Sequence, residues 1–238
     1  MKTWVIPDIH GCLKTFSYLV ENMIRLQKDD ILYILGDFID RGPDSKGVID
    51  YIMQLEANGY MVISLRGNHE DYLLKVIESE KNQGFWPKLS GQGKTRKEWF
   101  RFGGEATVKS FGLTRISNMP DIYVEWLNSL QYYAEYKEFL IVHAGFNFKK
   151  ENIFEDENAM LWIRDFEIDT EKLGGRRIIH GHVPVDLEFI YSCLNSNAYQ
   201  FIALDNGVYM YDRPGYGNLT ALELNTLDLK IQPNIDQQ

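Results

Sequence analysis

Short apolar runs alternate with amphipathic stretches in the first third of the chain. Runs of strand length lie at residues 4–6, 31–35 and 61–65. Between them, apolar residues recur at helical spacing over residues 13–23 and 48–55. Strands that alternate with helices of this length are typical of βαβ units. The pattern therefore predicts a parallel sheet.

The second half of the chain has a different pattern, with a predicted helix at residues 122–130 followed by short strands. The predicted strands lie at residues 139–142, 177–179, 187–190, 201–204, 208–211, 221–224 and 227–231. We therefore expect one α/β domain over residues 1–238, with a mixed or two-sheet core covered by helices.

The regular pattern lapses over residues 80–104, where glycines and basic side chains accumulate. The basic residues there are Lys81, Lys88, Lys94, Arg96, Lys97 and Arg101. This segment is interpreted as a lid or insertion near a functional site. A solvated insertion without such a role fits the composition equally well.

The composition excludes several classes of protein. Of the 238 residues, 45% are hydrophobic and 25% charged, as in soluble globular proteins. No run approaches the roughly 18–20 apolar residues of a membrane span. The net charge of -9 argues against general nucleic-acid binding, although not against a phosphate substrate. Cys12 and Cys193 are too few for a disulfide framework, so we expect core positions for both and a cytoplasmic location.

Polar side chains follow four of the predicted strands at the point where each strand ends. They are Asp8, Asp37, Asn68 and His143. In open α/β sheets, ligands bind beyond the carboxyl ends of the strands. We therefore expect these side chains, from separate parts of the sequence, to meet at one site.

Asp8 and His10 are two residues apart, so both side chains project to the same side of an extended chain. An oxygen and an imidazole together suit Mn, Fe or Zn, whereas Mg and Ca prefer oxygen ligands alone. A capping aspartate beside a surface histidine would give the same pair.

Residues 36–42 read Gly-Asp-Phe-Ile-Asp-Arg-Gly, in which the glycines permit an unusual backbone around two acids and an arginine. A carboxylate such as Asp37 can bridge two cations. Asp40 is better placed to orient a histidine, and Arg41 offers a planar fork for two phosphate oxygens. A turn with a solvated Asp–Arg pair is the alternative.

Residues 67–70 read Gly-Asn-His-Glu. Asn68 would be a neutral oxygen ligand, and His69, with Asp40 as its partner, suits a general acid that protonates a leaving oxygen. The alternative is that Asn68 caps a helix and His69 has no role. His180 falls within a predicted strand, where a buried structural role is favoured over metal binding.

These motifs, together with His143-Ala-Gly and Gly181-His182, form an ordered set that resembles the metallophosphoesterase, or calcineurin-like, superfamily. The PPP-type serine/threonine protein phosphatases are the most similar branch, especially their small bacterial and lambda-phage-like members. Pro184 stands where general phosphodiesterases of the superfamily have a second histidine, and Arg41 and Glu70 are also typical of the PPP branch. Residues 103–112 and 204–207 resemble further segments of the family.

The resemblance implies a four-layer α/β/β/α sandwich of two mixed β-sheets flanked by helices. It also implies two divalent metal ions, with Mn favoured and Fe or Zn as alternatives. The implied ligands are Asp8, His10 and Asp37 for one ion and Asp37, Asn68, His143 and His182 for the other. By the same resemblance, His69 and Asp40 form an acid pair, and Arg41 and Arg164 bind phosphate. The sequence around Arg164 alone indicates only a solvated charge.

The predicted function is metal-dependent hydrolysis of a phosphomonoester, in a phosphorylated protein or a small molecule, by direct attack of a metal-bridging hydroxide. A phosphoprotein phosphatase is the first hypothesis. A symmetrical dinucleoside tetraphosphate hydrolase has the same metal motifs and is the alternative enzyme. A non-catalytic scaffold would be expected to lack ligands, and all six predicted ligands are present.

Overall fold

Two β-sheets form the centre of the computed structural model, which describes residues 1–82, 92–196 and 198–237. The strands are β1 (Thr3–Ile6), β2 (Ile31–Ile34), β3 (Met61–Ser64), β4 (Tyr133–Tyr136), β5 (Phe139–Val142), β6 (Arg177–His180), β7 (Phe201–Ala203), β8 (Asn218–Glu223) and β9 (Asp228–Pro233). The first sheet has the order β3-β2-β1-β8-β9 and the second has the order β4-β5-β6-β7. Each sheet is mixed, because β8, β9 and β4 pair antiparallel while the other neighbours are parallel.

Helices connect the parallel strands and cover the outer faces of both sheets. They are α1 (Leu13–Tyr18), α2 (Ser45–Ala57), α3 (Asn68–Lys81), α4 (Gln92–Arg101), α5 (Gly104–Ser110), α6 (Asp121–Ser129), α7 (Glu157–Trp162), α8 (Thr170–Leu173) and α9 (Leu187–Asn195). A π-helical turn at Leu19–Ile24 continues α1, and 3₁₀ turns lie at Ile116–Asn118 and Ile153–Glu155.

Side chains alternate between two apolar layers along each central strand. On β1, Trp4 and Ile6 pack under the helices of the first sheet, whereas Val5 faces the second sheet. On β5, Ile141 faces the first sheet and Leu140 packs beneath the outer helices. Both faces of each sheet are therefore buried, as expected of strands that read as continuous apolar runs. The predicted four-layer α/β/β/α sandwich of two mixed sheets is confirmed.

Most of the predicted helices and strands are confirmed with small differences at their ends, but two predicted strands are wrong. Residues 187–190 begin α9, because Asp186 caps this helix by accepting a 2.8 Å hydrogen bond from the amide of Phe189. Residues 208–211 form a turn after β7. A four-residue apolar run is too short to distinguish the helical period from the strand period.

The predicted lid at residues 80–104 lies partly outside the described residues, because residues 83–91 are not described. The described part comprises the end of α3, the helix α4 and the turn at Gly103. Cys12 and Cys193 are buried and unpaired, so the prediction of core positions is confirmed. In the described ranges, no helix combines the length and the apolar character that a membrane crossing requires.

Candidate active site

The predicted ligands lie together at the carboxyl ends of the parallel strands. Asp8, Asp37 and Asn68 follow β1, β2 and β3 of the first sheet, and His143 and His182 follow β5 and β6 of the second. The fold therefore brings loops from both sheets to one site, at the edge where α/β sheets bind ligands.

Asp37 lies at the centre of this cluster. Its Oδ2 is 3.8 Å from Nε2 of His10, 3.8 Å from Nε2 of His69 and 3.6 Å from Nε2 of His143. Two buried groups, His10–Asp37–His69 and Asp37–His143–His182, each hold their ligand atoms within 4.8 Å of one another. Asp37 belongs to both groups, which is the position expected of a carboxylate that bridges two cations.

The remaining predicted ligands border these two groups. Oδ1 of Asn68 is 2.9 Å from Nε2 of His143, which is 3.2 Å from Nδ1 of His182. Asp8 lies farther out, with Oδ2 at 4.0 Å from Nε2 of His10. Both oxygens of Asp8 accept the backbone N–H of His182, at 3.1 and 3.2 Å. The loops after β1 and β6 are thereby held against each other.

The backbone around the cluster is in an uncommon conformation. Positive φ angles occur at His10, Asp37, Asp40, Arg41 and His182. Such angles cost non-glycine residues on the order of 1–3 kcal/mol each and are concentrated at functional sites. The loops after β2 and β3 also approach closely, since a Cβ on Gly36 would lie 2.4 Å from the amide nitrogen of Gly67. Glycine at this contact lets the loops that carry Asp37 and Asn68 pack against each other.

Backbone carbonyls orient two of the histidines. Nδ1 of His10 is 2.9 Å from the carbonyl oxygen of Ile39, and Nδ1 of His143 is 3.0 Å from that of Leu35. When each Nδ1–H donates to its carbonyl, Nε2 presents its lone pair to the centre of the cluster. Burial lowers the pKa of both imidazoles and so favours the neutral form that binds metals.

His69 has a carboxylate as its partner. Its Nδ1 donates a 2.6 Å hydrogen bond to Oδ2 of Asp40. Burial alone would lower the pKa of His69, but the charges of Asp37 and Asp40 outweigh burial and raise it. Although Nε2 of His69 is as close to Asp37 as that of His10, a histidine that retains its proton suits a general acid better than a ligand.

Asp40 is held by residues that the sequence analysis did not identify. Its Oδ2 also accepts from Nε1 of Trp99 at 2.8 Å, and its Oδ1 accepts from the hydroxyl of Thr107 at 2.5 Å. Its backbone N–H donates to the hydroxyl of Ser45 at 3.0 Å. Asp40 is fully buried, and these donors satisfy its oxygens. Residues 103–112, whose resemblance to a family segment was a sequence signal, provide Thr107.

Arg41 points into the cluster from the same loop. Its Nη1 is 3.0 Å from Nε2 of His10, and its Nη2 is 3.3 Å from Nε2 of His69. The guanidinium lies over the ring of Tyr209, 4.0 Å from its centroid. Tyr209 lies in the turn at residues 208–211. The sequence analysis predicted a strand there and did not predict this contact. The fork of Arg41 is thus fixed beside His10 and His69, which both belong to the first group.

Arg164 lies near the second group. It is exposed just after α7. Burial, followed by the charges of His143 and Arg164, lowers the pKa of His182 to about 3 despite the opposing charge of Asp37.

His180 lies apart from the cluster, in β6. Its Nδ1 is 3.1 Å from the carbonyl oxygen of Gly181, and burial lowers its pKa to about 4. These contacts agree with a structural role for His180.

Glu70 braces the two loops that carry the central ligands. Its carboxylate accepts the backbone N–H groups of Asp37 at 2.8 Å, Phe38 at 2.8 Å and Gly67 at 2.9 Å. In the sequence, Glu70 indicated only the branch of the family. Burial and the neighbouring charge of Asp37 raise the pKa of Glu70 to about 8.

A further buried acid, Asp205, faces the cluster. Its Oδ1 accepts from the amide of Gly207 at 2.7 Å, while its Oδ2 has no hydrogen-bond partner in the described part of the chain. Burial is the main cause that raises the pKa of Asp205, to about 7. Burial and the charges of Asp205 and Asp37 likewise raise the pKa of Asp8.

The donor set fits a pair of divalent cations. Several buried carboxylates repel one another, and histidine nitrogens face them with lone pairs turned inward. Nε2 of His182 and Oδ2 of Asp205 have no hydrogen-bond partners among the described residues. Bound cations would relieve the repulsion, because they are the largest local charges in such a site. The mixture of carboxylate, amide and imidazole suits Mn, Fe or Zn.

Sequence comparison gives a family and named relatives. Residues 1–211 match the family described as calcineurin-like phosphoesterase. A protein of Wigglesworthia glossinidia brevipalpis named symmetrical bis(5'-nucleosyl)-tetraphosphatase is 33% identical over 149 residues, which cover 61% of this chain and 45% of that relative. The match thus spans less than half of the relative's length.

Two solved structures share the fold. One is of a proposed diadenosine tetraphosphatase, with a TM-score of 0.60 and 17% identity over 98% of this chain and 93% of the other. The second is a protein serine/threonine phosphatase from Saccharomyces cerevisiae, with a TM-score of 0.62 and 16% identity over 99% and 80% of the two chains. Identities this low establish likeness of fold alone. The family match covers every motif from Asp8 to His182, and the chain therefore belongs to the calcineurin-like phosphoesterase family.

Proposed function

We propose that the chain is a dinuclear-metal hydrolase that adds water to symmetrical dinucleoside tetraphosphates and releases two nucleoside diphosphates. The position of Asp37 is the observation that supports a dinuclear-metal hydrolase, because its carboxylate belongs to both buried groups of possible metal ligands. The choice of substrate is supported by the name of the relative at 33% identity. The same site chemistry applies to other phosphate esters, so the substrate is the finer part of the proposal.

The proposed metal ligands are those of the sequence analysis. Asp8, His10 and Asp37 would hold one cation, with Asp37, Asn68, His143 and His182 holding the second. Mn is the proposed ion, with Fe or Zn as alternatives. Such a pair supplies Lewis acidity at phosphorus and activates water near neutral pH.

The other site residues would bind the substrate and move a proton. Arg41 and Arg164 would each pair with phosphate oxygens, since a guanidinium offers two parallel N–H donors. Protonated His69 would donate from Nε2 to the oxygen of the leaving nucleoside diphosphate. Asp40 would hold the imidazole through Nδ1 and stabilise its charged form.

A phosphoprotein phosphatase is the second candidate. Pro184, Arg41 and Glu70 support it, because these residues resemble the PPP branch of serine/threonine phosphatases. In that reaction the same residues would act on a phosphoserine or phosphothreonine ester, and the leaving group would be a side-chain alkoxide. An alkoxide needs a proton more than a nucleoside diphosphate does, so His69 would matter more.

A product assay separates the two candidates. The chain, supplied with Mn, is incubated with diadenosine tetraphosphate or with phosphoserine peptides, and the products are resolved by ion-exchange chromatography. The proposal expects ADP as the only nucleotide product. Formation of ATP and AMP would contradict symmetrical cleavage, and efficient phosphate release from the peptides without dinucleotide turnover would favour the second candidate.

Variants test the assigned residues in the same assay. Asp37→Asn and His69→Asn should each lower kcat by roughly 10²–10⁴-fold. Glu138→Gln is the matched control, because Glu138 is an exposed acid at the opposite end of β5 from the cluster. Normal turnover in Asp37→Asn would refute the hydrolase mechanism.

A further inference from the structure

An open aromatic cleft lies beside His69. This cavity of about 400 Å³ is lined by Tyr72, Glu98, Arg101, Phe102 and Trp162. The ring of Phe102 is 6.4 Å from the imidazole of His69, measured between centroids. One wall of the aromatic cleft, Phe102, is therefore adjacent to the residue that would protonate the leaving group.

The rings of the aromatic cleft are arranged as walls. Tyr72 lies 5.7 Å from Phe102 at an interplanar angle of 59° and 6.2 Å from Trp162 at 67°, so neither pair is stacked face to face. The hydroxyl of Tyr72 donates to Oε2 of Glu98 at 2.9 Å, which holds the tyrosine ring in place. Phe102 is 41% exposed. Clustered aromatic side chains that remain exposed at a polar site indicate a binding surface.

Each wall of the aromatic cleft is joined to a part of the active site. Tyr72 lies one turn after His69 on α3, and Trp162 ends α7 two residues before Arg164. Phe102 precedes Gly103, whose carbonyl oxygen accepts the backbone N–H of Arg41 at 3.3 Å. The walls of the cleft thus belong to the same segments of chain as the proposed general acid and the two arginines proposed to bind phosphate.

We infer that the aromatic cleft binds the nucleobase of the leaving nucleotide, an inference that rests on the proposed function. A nucleobase can stack on aromatic side chains whatever hydrogen-bond donors and acceptors it carries at its edge. The volume of the cavity also lies in the range of small-ligand sites. The guanidinium of Arg101 at the rim adds a positive charge beside a ligand that carries phosphates. The position next to His69 assigns the cleft to the leaving half of the dinucleotide.

A pair of matched ligands tests this assignment without turnover. Adenosine 5'-(α,β-methylene)diphosphate and methylenediphosphonate share two phosphorus groups joined by a methylene bridge, and only the first carries a nucleobase. Their dissociation constants for the Mn-loaded chain are measured by titration calorimetry. We expect the nucleotide to bind about tenfold or more tightly than methylenediphosphonate, which is the contribution expected of one stacked base.

The variants Phe102→Leu and Trp162→Leu should each raise the Kd of the nucleotide by about tenfold and leave that of methylenediphosphonate within about twofold. Phe102→Tyr keeps the aromatic face and should retain nucleotide affinity. Tyr191→Leu is the control, because Tyr191 is a 45% exposed tyrosine on α9. Thermal unfolding of each variant establishes that it is folded.

Equal affinities of the two ligands for the unmodified chain would overturn the inference, as would nucleotide affinity unchanged in both leucine variants. Weaker phosphopeptide binding in these variants with unchanged nucleotide binding would assign the cleft to a peptide side chain and also overturn it. These results are independent of the product assay. Dinucleotide cleavage with unchanged nucleotide affinity in the variants would refute the cleft assignment alone, whereas absence of cleavage would refute the proposed function alone.

Discussion

Oδ2 of Asp40 accepts a 2.6 Å hydrogen bond from Nδ1 of His69, and both side chains are almost completely buried. Trp99 and Thr107 hold Asp40 in turn, so a chain of hydrogen bonds from α4 and α5 determines the orientation of one imidazole. The nitrogen that faces Asp37 is thereby Nε2. This pair distinguishes His69 from His10 and His143, whose Nδ1 atoms face backbone carbonyls.

Replacing Asp40 by asparagine should lower kcat by about 10²-fold, because His69 loses its orienting partner and part of the charge that raises its pKa. The loss should be larger for an alkyl phosphate than for p-nitrophenyl phosphate, whose leaving group needs little protonation. Activity requires the protonated imidazole, so the alkaline limb of the kcat–pH profile should move to lower pH. An equal loss with both substrates and an unmoved profile would show that Asp40 is only structural.

Glu70→Gln should destabilise the site and the fold together. A glutamine side chain cannot accept all three backbone N–H groups that the carboxylate accepts, and each unsatisfied buried donor costs about 1–3 kcal/mol. We expect a lower free energy of unfolding in urea and weaker Mn binding by calorimetry. Glu78→Gln, an exposed change on the same helix, should alter neither. Unchanged Mn affinity in Glu70→Gln would mean that the brace does not position the ligands.

Removal of metal should lower the melting temperature. Cations that bind only the folded state add about 2.7 kcal/mol at a hundredfold excess over Kd. Without them, burial raises the pKa of Asp205 to about 7, and burial with the charges of Asp205 and Asp37 raises that of Asp8. Protons therefore compete with cations, and the stabilisation by Mn should be larger at pH 8 than at pH 6. Scanning calorimetry with Mn or chelator at both pH values measures this effect, and Asp37→Asn should abolish it.

Acid unfolding should depend on Glu223, at the end of β8 and far from the site in the fold. Burial alone would raise its pKa, but hydrogen bonds from Thr226, Thr3 and Asn225 outweigh burial and lower it to about 2. Because the folded pKa lies below the unfolded value, the stabilisation is present above about pH 4.5 and is lost as pH falls towards 2. The difference between the unfolded pKa of 4.5 and the folded pKa of about 2 corresponds to about 3.4 kcal/mol, of which we expect about 2 kcal/mol to remain after screening by solvent.

Urea unfolding of Glu223→Gln from pH 7 to pH 2.5 tests this prediction. The variant should be less stable at pH 7, and its stability should change less between pH 4.5 and pH 2.5 than that of the unmodified chain. Glu138→Gln provides the comparison with an exposed acid. Parallel pH profiles for the unmodified chain and Glu223→Gln would contradict the assigned pKa.

The sequence pattern was sufficient to predict the central strands and to predict that the proposed ligands lie at the ends of these strands. Strands such as β1 and β2 have local apolar periodicity, and a polar residue directly after a strand stands at its carboxyl end whatever the rest of the fold does. Asp8, Asp37 and Asn68 could therefore be assigned to one edge before the sheet order was known. Residues 187–190 were wrongly predicted as a strand, because a run of four apolar residues does not distinguish the strand period from the helical period.

Partners that are distant in sequence were decided only by the tertiary structure. Trp99 and Thr107 reach Asp40 across 59 and 67 residues. No local pattern marks Trp99 as part of the site, and the only signal for Thr107 was the resemblance of residues 103–112 to a family segment. The role proposed for Arg164 rests on family resemblance alone, since an exposed arginine has no signal of its own.

The sequence by itself therefore determined which residue types stand at the strand ends and, through the ordered motifs, the family. The tertiary structure decided which donors hold Asp40, which backbone groups Glu70 holds, and that an aromatic cleft lies beside His69. The physical reason is that strand and helix periods are short-range properties of the chain. Hydrogen-bond partners and cavities arise only when the helices pack on the sheets.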